Sequence, residues 1–179
     1  MKIKEKKIVS SSKYLNFVAT TFENKNHNED VWYSVERNNN GKTVLIAAIV
    51  GNKLVVTKEF RVAIEDYEWA LPAGLIEEGD TIEETAEREL KEETNLELES
   101  IVKKTRFMTN SAGLTNEVVS IVFAYAKGQV GQDGNEQTED IETFLMDKNG
   151  VQNLMKDEKK IFSAKAWLIF DKFVREGSW

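Results

Sequence analysis

Between Gly74 and Leu96 the apolar residues Ile82, Ala86 and Leu90 recur every fourth position, the spacing of one stripe on an α-helix. Glu83, Glu84, Glu87 and Lys91 project from the opposite side, while Glu89 and Glu93 fall beside Ile82, on the inward side. Thr81 with Glu84 makes a capping-box pair that starts this helix directly after a glycine loop, and Asn95 follows its end, where a left-handed residue is wanted. Elsewhere strands dominate. Alternation around Tyr14–Phe22 and Val31–Val35, separated by the polar stretch Glu23–Asp30, predicts short antiparallel strands within residues 3–37. The turn signal Asn38-Asn39-Asn40-Gly41 divides an N-terminal strand region, 1–42, from a main domain, 43–179. Thr43–Val50 and Leu54–Thr57 read as a hairpin joined at Gly51-Asn52; Trp69–Pro72 leads into the glycine loop, and Glu117–Ala126 predicts a long strand. Polar, glycine-rich Gly128–Asp140 is expected to be a mobile loop. Helices are predicted over Gly150–Lys156 and Ser163–Arg175, the second with Ala166, Trp167, Phe170, Phe173 and Val174 as its apolar face. Strands and helices in this order predict an α/β sandwich with a mixed sheet.

The inward acids change the picture. Moving a carboxylate toward a core is costly unless positive charge meets it. Glu92 can pair with Arg88 one turn back, but neither Glu89 nor Glu93 has Lys or Arg three or four residues away. Either the fold supplies a partner or a divalent metal does. Oxygen-only ligands favour hard ions, magnesium first and manganese second. The competing reading is a solvated, Glu-rich face.

Composition narrows the classes. A chain of 179 residues, 41% hydrophobic, is long enough for one well-packed domain. It has no cysteine, so disulfide and thiol chemistry are excluded, and without a signal peptide or long apolar run the expectation is a cytoplasmic protein with no membrane partner. The net charge of −7 argues against a nucleic-acid duplex as partner. The one histidine, His27, sits in a polar, asparagine-rich stretch, and no serine lies in a nucleophile elbow, so histidine-based and covalent hydrolysis are disfavoured.

Residues 74–96 resemble the Nudix box, in Gly74, Arg88, Glu89, Leu90, Glu92, Glu93 and Leu96, with Asp80 where glutamate is usual and Asn95 where glycine is usual. Glu59-Phe60-Arg61, Leu71–Glu77, Ser111-Ala112-Gly113 before Glu117, and Glu139–Phe173 extend the resemblance to the ADP-ribose pyrophosphatase branch of Nudix hydrolases. The resemblance implies a Nudix-type α/β/α sandwich with a small N-terminal antiparallel strand domain that builds a homodimer. It implies a magnesium site from Glu89, Glu93, Glu92 and the Ala73 carbonyl, with Arg88 and Glu92 in the catalytic box and Arg88 braced by residue 80. Glu117 matches the base or water-orienting acid, Trp32 the aromatic that stacks on adenine, and Arg37 and Arg61 the arginines on phosphate or ribose. The implied reaction is metal-dependent hydrolysis of ADP-ribose or an ADP-sugar to AMP and a sugar phosphate. The branch usually carries proline where Ala112 stands, in a loop associated with substrate. Two alternatives stay open: a nucleotide sensor without turnover, and a pyrophosphatase for flavin dinucleotide or damaged nucleoside triphosphates.

Overall fold

The computed structural model describes residues 1–38, 41–131 and 140–179. Three strands, β1 (Lys2–Ser11), β2 (Leu15–Glu23) and β3 (Glu29–Arg37), form a separate antiparallel sheet in sequence order. A nine-stranded sheet follows, built from β4 (Lys42–Val50), β5 (Lys53–Arg61), β6 (Asp66–Ala70), β7 (Ala73–Leu75), β8 (Glu97–Lys104), β9 (Met108–Thr109), β10 (Val118–Lys127), β11 (Ile141–Met146) and β12 (Ile161–Phe162). Its helices are α1 (Ile82–Thr94), α2 (Lys148–Met155) and α3 (Ala164–Glu176).

Strands run β12-β6-β5-β4-β10-β8, with β11 on β5, β7 on β4 and β9 on β10. β10 runs parallel to β4 and β12 parallel to β6, while the other pairings are antiparallel, so the sheet is mixed as the sequence predicts. Burial on both faces explains why β4 reads as the unbroken run Val44–Ile49 rather than an alternation. Val44, Ile46 and Ala48 face α1 through Ala86 and Leu90; Leu45, Ala47 and Ile49 face α2 and α3 through Val151, Leu154, Phe170 and Phe173. The result is an α/β/α sandwich. Trp167, predicted for the apolar face of α3, is 39% exposed, and Ile169 is buried there instead.

The N-terminal sheet meets the segment between β9 and β10. Val35 forms a parallel bridge with Thr115, and its N–H donates to the Leu114 carbonyl at 2.8 Å. Two predicted turns fall partly outside the described residues: Asn39 and Asn40 in the first, and 132–139 in the loop expected to be mobile. Among the described residues no helix is long and apolar enough to cross a membrane.

Candidate active site

One cavity of about 800 Å³ opens where β4, β7, α1, the start of β10 and the first turn of α3 converge. Its acidic part is set by α1. Thr81 Oγ1 accepts from the Glu84 N–H at 3.2 Å and Glu84 Oε2 accepts from the Thr81 N–H at 2.9 Å, the reciprocal cap anticipated from the sequence. Asn95 ends the helix at φ 60°. Ala86 and Leu90 are fully buried against the sheet, and that anchoring turns Glu93, 7% exposed, inward and leaves Glu92 half exposed. Glu93 Oε2 accepts the Ala73 N–H at 3.3 Å. Glu89 packs onto Gly74 so closely that a β-carbon there would lie 1.9 Å from its carboxyl carbon. Gly74 is thus needed for space.

The positive partner of Glu89 is the adjacent residue rather than one three or four positions away. Arg88, its neighbour in sequence, brings Nη1 to 2.8 Å from Glu89 Oε1 and 3.1 Å from Glu92 Oε2. Its Nη2 also donates to the Leu75 carbonyl at 3.2 Å. Burial opposes the guanidinium charge, but Glu89 and Glu92 outweigh it and raise the Arg88 pKa above the ordinary arginine value. Asp80 reaches only to 4.0 Å from Arg88 Nε, and that buried N–H has no hydrogen-bond partner. The shorter arm expected to weaken the brace accounts for this gap.

A second part of the lining is cationic. Arg37, at the end of β3, places Nε 2.5 Å from Glu117 Oε2; Arg61, at the end of β5, lies 2.6 Å from Glu59 and 3.4 Å from Glu68. Glu117 Oε1 accepts from Asn110 Nδ2 at 2.5 Å, and Asn110 Oδ1 accepts from Lys165 Nζ at 2.8 Å. Burial pushes the Lys165 ammonium below the ordinary lysine pKa, against Glu117 and Glu68.

Of the residues singled out by sequence, Arg37, Arg61, Ala73, Arg88, Glu89, Glu92, Glu93 and Glu117 all line this cavity. Trp32 does not; it is 55% exposed, and its indole N–H donates to the Gly113 carbonyl at 3.0 Å. His27 is exposed and bonded to Glu23, as its polar surroundings suggest. Asn110 and Lys165 were not anticipated. A signal for Lys165 does exist: it sits in the first turn of α3, where a helix dipole disfavours cations and where no acid is present.

The donor set suits a hard divalent cation. Carboxylates are the available ligands, and the cradle at Gly74 admits the Glu89 carboxylate against the backbone that carries Ala73. Among the described residues no three acidic or histidine side chains converge as a closed metal cage. Arg88 pairs with two of the acids, Glu89 and Glu92.

The fold and the acidic cavity define the class of protein through comparison with known proteins. The NUDIX domain model matches residues 39–168, and the chain belongs to the NUDIX family. It is a Nudix pyrophosphohydrolase, of a family that generally uses divalent metals such as magnesium. A Caenorhabditis elegans protein named as a nudix hydrolase is 27% identical over 158 residues, covering 80% of this chain and 71% of the relative. The ADP-ribose pyrophosphatase of Bacillus subtilis is 36% identical over 84 residues, covering 47% of this chain and under half, 45%, of that enzyme. A crystal structure of an ADP compounds hydrolase superposes with TM-score 0.76 at 24% identity, covering 97% of this chain and 91% of that one, and supports the fold.

Proposed function

We propose that this enzyme hydrolyses ADP-ribose or an ADP-sugar to AMP and a sugar phosphate. The observation that carries the reading is the division of one cavity between the acids of α1 and two arginines, Arg37 and Arg61. A diphosphate needs both: fixed donors for its oxygens and carboxylates that recruit further positive charge. The relatives named for ADP-ribose and ADP compounds support the adenosine diphosphate part.

In this reading Arg37 and Arg61 hold the phosphates through charge-assisted hydrogen bonds. Glu117 orients the attacking water and takes its proton as the bridging phosphorus–oxygen bond breaks. Glu89, Glu93, Glu92 and the Ala73 carbonyl would hold magnesium or manganese, which when bound supplies the charge that lets a diphosphate lie among carboxylates. For Glu89 and Glu92 this means release from Arg88.

Purified protein with ADP-ribose and magnesium should release AMP and ribose 5-phosphate, read by chromatography. Turnover of flavin dinucleotide or nucleoside triphosphates alone would sink the substrate assignment and leave the hydrolase. Tight binding of ADP-ribose without any product would favour a sensor.

We also infer a homodimer built on the N-terminal sheet. Phe17 and Tyr33 stack at 5.5 Å on a face that leaves them 42% and 54% exposed, beside Val31 at 48%. A second copy is the partner that would cover this strip. Light scattering should give twice the 20.4 kDa chain mass. Replacing Phe17 and Tyr33 together by Glu should return it to one chain mass; a wild-type monomer at working concentration contradicts the dimer.

A further inference from the structure

We propose that Lys165 and Asn110 act as a positioning device for Glu117, holding the carboxylate that orients water in the reaction proposed above, and the inference rests on that reading. An ammonium only donates hydrogen bonds and a carboxylate only accepts them, so an amide placed between the two satisfies both in one orientation alone. Asn110 has that orientation: Oδ1 accepts from Lys165 Nζ at 2.8 Å and Nδ2 donates to Glu117 Oε1 at 2.5 Å. Arg37 Nε holds the second oxygen at 2.5 Å, and the Asn110 N–H donates to the Glu117 carbonyl at 3.2 Å. Glu117, directly before β10, is therefore gripped from β3, from the turn after β9 and, through Asn110, from α3.

The lysine is unfavourable where it stands. It sits in the first turn of α3, against the dipole, with no acid on its own helix there. It is also half-buried, and desolvation lowers its pKa, with Arg61 adding to the lowering and Glu117 and Glu68 opposing it. Breaches of local rules without gain to stability are expected at functional positions. A side chain fixed through two hydrogen bonds matters because small displacement of a reacting group costs up to about a hundredfold in rate.

The test is a double-mutant cycle with Lys165→Met and Glu117→Gln, assayed on whichever nucleotide the wild type hydrolyses, so that a wrong substrate assignment shows in the products and leaves the cycle intact. Lys165→Met should lower kcat about tenfold or more with KM within about twofold. In the Glu117→Gln background the same change should alter kcat by less than about twofold. Lys165→Gln, which keeps a donor but no charge, should recover part of the loss and also serves if the Met variant fails to fold. Equal losses in both backgrounds, or a raised KM with kcat unchanged, would overturn the proposal, the second outcome meaning that the ammonium binds substrate directly.

Discussion

Glu93→Gln is expected to lower kcat by on the order of a hundredfold or more, equivalent to about 3 kcal/mol of lost transition-state stabilisation, while the fold stays intact. Glutamine has nearly the shape of glutamate and keeps a carbonyl oxygen for the Ala73 N–H, which Glu93 Oε2 accepts at 3.3 Å. The backbone carbonyl of residue 93 still accepts from Thr143 Oγ1 at 3.0 Å, so the end of α1 stays tied to β11. Only the charge is lost. Because glutamine fills the same space and keeps the acceptor, the thermal midpoint should stay within a few degrees of the wild type. The role assigned to Glu93 is to recruit positive charge, so manganese affinity by calorimetry should weaken alongside kcat. A variant with wild-type rate and wild-type manganese affinity removes Glu93 from the ligand set.

That prediction comes from a helical wheel, which shows what the sequence makes legible. Ile82, Ala86 and Leu90 set the inward side of α1, and the same period turns Glu93 and Glu89 inward, because a cap and a long stripe leave little freedom of rotation. The Arg88–Glu89 contact was not legible: neighbours in sequence do not share a helix face, and only the reach of an arginine lets its guanidinium bend back to the next residue. Lys165 and Asn110 are 55 residues apart, and no local pattern links them. Among the strands, β4 and β10 were visible because they are buried runs. Residues 3–37 read as short antiparallel strands, but β1 had no stretch of its own singled out, since every residue in it is exposed; its order comes from its ladder with β2. β9 and β12, two residues each, are too short for any period. At Asp80 the departure from the usual glutamate proved informative, since a shorter acid leaves Arg88 Nε without a partner.

Gly74→Ala should separate activity from stability without altering any of the acids. The backbone at Gly74 is outside the left-handed region, so alanine meets no torsional penalty. What it meets is Glu89: its β-carbon would lie 1.9 Å from Cδ and from Oε1 and 2.4 Å from Oε2, with no backbone atom among the nearest three. Such an overlap cannot persist, and the flexible side chain yields before the strand pairing of Gly74 with Val44 does. Displaced, the carboxylate can follow Arg88, which already holds it at 2.8 Å, so the variant keeps an ion pair and a folded helix while the cavity loses an acid. The expected result is a thermal midpoint within a few degrees of the wild type, with kcat down about a hundredfold, comparable to misplacing any reacting group by an ångström. Shortening the displaced acid in the same protein, Gly74→Ala with Glu89→Asp, should restore part of the rate, because the clash is with the end of that side chain. Gly74→Ala at full activity would mean that Glu89 is not needed against the Ala73-Gly74 backbone. A large fall in thermal midpoint would mean instead that the glycine serves the strand, and the packing of Glu89 would then be a consequence of the turn rather than its reason.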